Sequence, residues 1–362
     1  MEGGRGGEDQ SPAAIGERAL GPEDHPRGVA TNLRRYLVKK AVYVAVTVYL
    51  IASLNFFIVQ VLPGDPTRVL LPRGSSNVTQ GGSDLRAQLT RQWGLDQPIT
   101  TRYVVYFANL LQGNLGTTIT YQKGGFPVAG VIAPRLSTTL VLVGLATVAT
   151  MWLGLVLGRI SGWRRGRPVD VSITMTTLIG YSMPSFWVSL MLIYTLAFVL
   201  PIFPAFGVQS RNASTFDPLT RVLDQLYHYF LPVLTFVITN VAWFSLTLRN
   251  SLTDTLPEDY MLTAMAKGLT EREQLRKHAM PNARLPVLTA SALYFGWVVS
   301  GAIVIEEVFN IPGLGQLTWD ATRVRDFPLL SGVFLVATLG VVVANAIADL
   351  LYMYLDPRVR EA

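Results

Sequence analysis

The chain has 362 residues, of which 50% are hydrophobic and only 15% charged, and its formal net charge is +6. An ordinary soluble domain carries about 25% charged residues, so this deficit excludes a disordered, coiled-coil or nucleic-acid-coating protein. Cysteine is absent, which removes disulfides, thiolate metal sites and cysteine nucleophiles, and His25, His228 and His278 stand far apart in sequence.

In chain order, residues 1–33 are Gly-rich, mixed in charge and poor in large apolar groups, as in a disordered extension. Residues 34–362 read as one membrane domain. A bilayer span needs about 20 apolar residues, because the hydrocarbon core is about 30 Å thick. Six charge-free windows qualify: 41–64, 136–158, 171–210, 229–248, 285–305 and 327–348. The rival reading, a large soluble protein with buried helices, rarely shows six such windows. The windows are apolar on all sides, unlike the alternating strands of an outer-membrane barrel. The first is too long and too far from Met1 for a signal peptide, and no small-x-small site follows it, so it reads as a retained helix. The third is long enough for a span plus an external loop. Within it, Ser182 and Ser185 flank Pro184, whose missing amide is expected to kink the helix.

Lys and Arg set the direction. Arg34, Arg35, Lys39 and Lys40 precede the first span, Arg159, Arg164, Arg165 and Arg167 follow the second, and the loop 249–284 is rich in both. Both termini and loop 249–284 are therefore expected in the cytoplasm. Loop 65–135 lies outside as a small cap, with Leu85, Leu89 and Trp93, then Tyr103, Tyr106, Phe107, Leu110 and Leu111, near helical spacing. The basic residues form no stripe interleaved with aromatics, so nucleic acid is not a partner; the lipid bilayer is.

Loop 249–284 predicts two short helices. Glu258 and Asp259 suit the start of the first, with Tyr260, Leu262, Ala264 and Met265 on one packed face. Gly268 interrupts it. Thr270 and Glu273 fit a capping box for the second, which Pro281 ends. The sequence from Glu258 through Tyr260, Thr263, Ala264, Ala266, Lys267, Gly268 and Leu269 to Asn282, Leu285 and Pro286 resembles the EAA loop of ABC importer permeases. Further runs are similar to the dipeptide/oligopeptide/nickel permease family: Leu62 to Pro66, Gly94 to Pro98, Glu306 to Phe309, Pro312 to Gly315, Arg325 to Pro328, and Leu355 to Arg358. The likeness covers about residues 34–360 and favours the B-type subunit. Asn114 and Ser137 depart from the family pattern, in the region of the outer cap.

The resemblance implies an all-α polytopic protein with six transmembrane helices and the type I ABC importer permease fold. It implies one half of a translocation pathway in the cytoplasmic (inner) membrane of a prokaryote. The implied partners are a C-type permease, cytoplasmic ABC ATPase subunits docked on Glu258, Tyr260, Thr263, Ala264, Ala266, Lys267, Gly268 and Leu269, and an extracytoplasmic substrate-binding protein. Peptides head the expected cargo, with nickel complexes, glutathione or oligosaccharides as alternatives and a secondary transporter or channel as a further one. No metal or cofactor is expected. ATP belongs to the ATPase chains, because this chain has no Gly-x-x-x-x-Gly-Lys-Ser/Thr run. An enzyme is not expected either, since no His and no carboxylate pair lies within a span and Ser182 has no evident base.

Polar groups inside spans are costly and need a reason. Asn55, Ser182, Pro184, Asn240, Trp243 and Trp297 are candidates for the translocation path, with interhelical packing as the plainer role for each. Glu306, Phe309, Pro312 and Gly313 mark an external loop on the binding-protein side, where Glu306 is expected to fix a re-entrant turn.

Overall fold

A computed structural model describes residues 27–61, 96–284, 286, 287, 291, 294 and 302–355. The described elements are helical. Helix α1 is Arg27–Val61, α2 Ile99–Leu111, α3 Val128–Trp163, α4 Pro168–Ser182, α5 Ser185–Leu192, α6 Pro218–Thr255 and α7 Asp259–Ala266. Helix α8 is assembled from Glu271–Glu273, a π-helical stretch Gln274–Ala279 and Met280–Ala283. Residues 302–308 form α9, followed by α10, Leu314–Arg323, and α11, Phe327–Leu355. Residues 27–33, at the end of the expected extension, are helical; 1–26 lie outside the described residues, as do 62–95 of the outer cap.

Four of these helices are long and apolar enough to cross a membrane, or five if the bent pair α4–α5 counts as one span. The expected fifth window, 285–305, falls mostly outside the described residues, and with it Trp297. The all-α membrane architecture stands, while the six-span count is seen only as far as these five.

The chain divides into two units, 1–46 and 47–362. In the first, the Lys40 ammonium stands 5.6 Å from the centre of the Tyr43 ring. In the second, α6 is the axis, with α3, α4 and α5 packed along it. Between helices in lipid the hydrophobic effect is weak, so close backbone approach and packing must hold them together. Gly154, Gly158 and Gly162 recur every four residues and line one face of α3. A Cβ added to them would stand 2.4 Å from Phe244 Cβ, 2.5 Å from the Ser245 carbonyl oxygen and 3.0 Å from Leu252 Cβ. Gly180 of α4 makes the same close approach, 2.5 Å from the Ile238 carbonyl oxygen. Around this seam Leu142, Leu231, Phe244, Leu248 and Leu252 are fully buried.

The expected kink at Pro184 is a full break. Helix α4 ends at Ser182, Met183 is extended (φ −81°, ψ 135°), and Pro184 caps the next helix. The two halves are bent by 101°. The physical reason lies in the preceding residue, since the proline ring disfavours the helical region for Met183. One lost amide would only bend the helix; a residue forced into extended backbone ends it.

A second core joins α3, α10 and α11 through Val128, Ile132, Leu314, Leu317, Leu329 and Val333. It positions the loops around α10 described next.

Candidate functional site

The expected docking loop is a folded knob. Helix α7 closes with Gly268 at φ +71°; its N–H donates to the Met265 carbonyl at 2.9 Å and the Leu269 N–H to the Ala264 carbonyl at 3.4 Å. This is the Schellman pattern, in which a left-handed residue satisfies the last carbonyls of a helix. A Cβ at Gly268 would meet nothing within 4 Å, so the glycine is needed for its backbone angle and not to avoid a clash. Left-handed backbone costs an ordinary residue about 1–2 kcal/mol. Gly268→Ala should therefore lower the thermal midpoint of the detergent-purified protein by an amount equivalent to about 1 kcal/mol, and Gly268→Asn should lower it less.

The capping box at the start of α8 is formed. Thr270 accepts from the Glu273 N–H at 3.4 Å, and Glu273 Oε2 accepts from the Thr270 N–H at 3.3 Å. Lys277 Nζ, 3.1 Å from Glu273 Oε1, and the Thr270 hydrogen bonds hold the Glu273 carboxyl below its ordinary range. The Gln274 amide donates to the Leu269 carbonyl at 2.7 Å and ties the turn to the helix. Pro281 does not end α8 as expected. The π-helical stretch Gln274–Ala279 widens the backbone ahead of it, and Pro281 sits in the first turn of Met280–Ala283, where its missing N–H is harmless.

The packed face of α7 differs from expectation. Met261 and Ala264, three residues apart, are buried against α8, while Tyr260, Leu262 and Met265 are exposed. Burying a methionine contributes about 1.5–3 kcal/mol, enough to pin a two-turn helix. Ala264 thus belongs to the knob's own core. Glu258, Tyr260, Thr263, Ala266, Lys267 and Gly268 remain on the open surface, with Leu269 half-buried.

Above the knob, the structure brings together residues that sequence reading treated only as flanking charges. Asp170, in the first turn of α4, is 2% exposed. Its Oδ1 accepts from Arg249 Nε at 2.6 Å and Ser161 Oγ at 2.7 Å; its Oδ2 accepts from Arg249 Nη2 at 2.8 Å and the Gly166 N–H at 2.9 Å. One carboxylate therefore joins the end of α3, the α3–α4 turn, α4 and α6. The two-pronged guanidinium contact is the strong form of an ion pair.

Two further buried carboxylates organise the loops around α9, α10 and α11. Glu306, fully buried, accepts from Thr139 Oγ1 at 2.7 Å and from the Gly315 and Gln316 N–H groups at 2.7 and 3.1 Å. Thr139 in turn accepts from the Leu314 N–H at 2.7 Å. The carboxyl group sits where the amino end of α10 offers unpaired donors. A Cβ at Gly313 would lie 2.3 Å from this carboxylate, which is why the turn needs glycine there. Phe309 is also buried and Pro312 half-buried. Glu306, Phe309 and Gly313 therefore shape this turn from inside and are not a contact surface.

Asp326 is the second anchor; in the sequence it stood only as part of the Arg325 to Pro328 run. Its Oδ2 accepts from the N–H groups of Ile119, Thr120 and Tyr121 at 2.7, 2.8 and 2.9 Å, and its Oδ1 caps α11 through the Leu329 N–H at 3.1 Å.

Of the candidates for the translocation path, Trp297 lies outside the described residues, and the polar side chains among the others bond to their own or a neighbouring helix. The Asn55 amide donates to the Ser331 carbonyl and hydroxyl at 3.0 and 2.9 Å, the interhelical bond expected of the plainer role. Ser182 Oγ donates to the Leu178 carbonyl of its own helix at 2.8 Å. Asn240 donates to the Phe236 carbonyl and Thr239 hydroxyl at 3.0 and 2.8 Å. Trp243 is half-exposed. Among the described residues no cluster of His, Asp and Glu has the geometry of a metal site.

Comparison with known proteins places this arrangement. Residues 154–361 match the family described as "Binding-protein-dependent transport system inner membrane component", and residues 33–142 match its N-terminal counterpart. The chain is 33% identical over 327 residues to the oligopeptide transport system permease protein AppB of Bacillus subtilis (strain 168), covering 90% of this chain and 98% of the relative. It is 33% identical over 327 residues, with the same coverage, to the glutathione transport system permease protein GsiC of Escherichia coli (strain K12). The chain belongs to the family of binding-protein-dependent transport system inner membrane components, as a membrane permease subunit of an ABC importer rather than an ATPase.

Proposed function

We propose that this permease forms half of the membrane pathway of a peptide importer, paired with a C-type permease, with both termini in the cytoplasm. Peptide cargo is supported by the relatives, whose names specify oligopeptides and the tripeptide glutathione. Asn55, Ser182, Pro184, Asn240 and Trp243 are proposed to border the pathway only through the elements that carry them, and Trp297, outside the described residues, is proposed beside them. The substrate-binding protein delivers cargo on the side of the Glu306–Gly313 turn.

The α7–α8 knob is the proposed dock for the ATPase. The observation that carries this is the apolar side chains left open on a short helix: Leu262 and Met265, three residues apart on one face, are 56% and 46% exposed, and Tyr260, on the other flank of the buried Met261 and Ala264, is 38% exposed. An amphipathic helix with an open apolar face fits a groove on a partner. Nothing in this chain supplies energy, so the knob must pass on motion made elsewhere. Closure of the ATPases moves it, and the spans turn between inward- and outward-open arrangements.

Met265→Glu tests the dock. It puts a charge on the open face without disturbing Met261 or Ala264. Capture of the ATPase by the tagged permease pair should fall by about tenfold or more, equivalent to losing one good interface contact. Unchanged capture with an intact permease pair would refute the docking assignment.

A further inference from the structure

Helix α6 runs without a break from the membrane to the knob. Arg249 lies in its last two turns, and α6 ends at Thr255, with α7 beginning at Asp259. The link between them has no slack: the Leu256 N–H donates to the Leu252 carbonyl at 3.0 Å and the Glu258 N–H to the Thr255 carbonyl at 3.3 Å. The knob is also tied sideways, since the Trp163 indole N–H at the end of α3 reaches Glu271 Oε2 of α8 at 3.5 Å. Asp170 begins α4, and the far end of α4 is the 101° break at Met183 and Pro184. The Asp170–Arg249 pair is therefore the charged crossing between the helix that holds the knob and the helix that holds the break.

We propose that Asp170 and Arg249 are positioning residues for transport: their paired hydrogen bonds carry displacement of the knob into α4 and so to the broken segment. The chemistry suits the task. A guanidinium and a carboxylate joined by two parallel bonds resist both sliding and rotation, which a single ammonium contact does not. Asp170 also receives Ser161 and Gly166, so the end of α3 and the α3–α4 turn move with α4 as one body. Without the pair, α6 would still move with the ATPase, but the start of α4 would lag behind it. ATP would then be spent with little cargo moved.

This inference rests on the docking assignment above, and the two fail differently. The test uses the complete transporter, with its permease partner, ATPases and loaded binding protein, in proteoliposomes. Arg249→Lys keeps the charge and loses the fork; Asp170→Asn loses the charge. Three quantities are measured: ATPase retained on the permease, ATP turnover, and cargo imported per ATP. ATPase retention and ATP turnover should stay within about twofold of the parent in Arg249→Lys. Cargo imported per ATP should fall by about tenfold, within the usual range of coupling between sites. The double variant should be no worse than Asp170→Asn alone, because both changes remove one link. Three outcomes overturn the proposal: an unchanged cargo-to-ATP ratio, a parallel fall in import and turnover, or loss of assembly in Arg249→Lys as well as Asp170→Asn, which would make the pair a folding element only. Failure of docking would instead appear as unchanged ATPase capture in Met265→Glu, whatever the ratio in these variants.

Discussion

Gly158→Leu is expected to abolish recovery of folded permease. The first atom of the new side chain would fall 2.5 Å from the Ser245 carbonyl oxygen and 3.0 Å from Leu248 Cβ. The Ser245 carbonyl is backbone in the middle of α6, so no rotamer change relieves the contact. Helices α3 and α6 must separate, and the same separation undoes the approaches at Gly154 and Gly162. Overpacking a well-filled interior costs about 1–3 kcal/mol for small additions and more for a whole leucine. Most of the marginal stability of a folded protein, about 5–15 kcal/mol, is then at risk. The measurement is the monodisperse fraction in detergent, with Gly158→Ala as an intermediate case. Gly144, also on α3 but with nothing within 4 Å of its would-be Cβ, is the control and should accept alanine without loss.

Asp326→Ala is the second large effect. It would leave the N–H groups of Ile119, Thr120, Tyr121 and Leu329 without the acceptor they share in a site closed to solvent. A hydrogen bond to a charged group is worth about 1.5–3 kcal/mol, and a stranded buried donor adds its own desolvation cost. A loss of about 3 kcal/mol or more in the unfolding free energy is expected. Proteolytic cutting near residues 119–125 should begin before global unfolding. Asp326→Asn keeps one acceptor oxygen and should recover part of the loss. Equal stability of Asp326→Ala and the parent in thermal unfolding would show that water or another group takes over these donors.

Much of this was open to reading from the residues. The absence of charge over about 20 residues is a one-dimensional signal, and it located α1, α3, α6 and α11. The Thr270–Glu273 box is local and needs only its own turn. Glycines four apart in an apolar helix announce a close helix contact, so the stripe on α3 was legible, although not its partner α6. Asp326 shows the limit. Its place before Phe327 and Pro328 marks a helix start, but three of its partners stand more than 200 positions earlier in the chain. No local pattern announces them. Asp170 and Arg249 hid for another reason: in a membrane protein, charges beside a span serve topology by default. Pro184 and Pro281 look alike in sequence and act in opposite ways. The first forces Met183 into extended backbone. The second follows a stretch already widened to a π-helix. Whether the preceding turn can widen depends on what packs around it, and neither proline's neighbours reveal that.

The break at Met183 has a consequence for the fit of the protein to its bilayer. Helix α4 has 15 residues, about 22 Å of rise, which is too short to cross a hydrocarbon core of about 30 Å. The second half, Ser185–Val199, is of similar length and bent by 101° from the first. Taken as one span with both halves inclined about 50° to the normal, together they would reach about 28 Å, close to the core thickness. Unlike a straight helix, whose reach is set by residue count and tilt, this segment's reach depends also on its hinge angle. Straightening the hinge lengthens it beyond the hydrocarbon layer, and folding it further draws polar ends inward. If the pair is one span, the thickness of the surrounding lipid bears on this angle as well as on tilt.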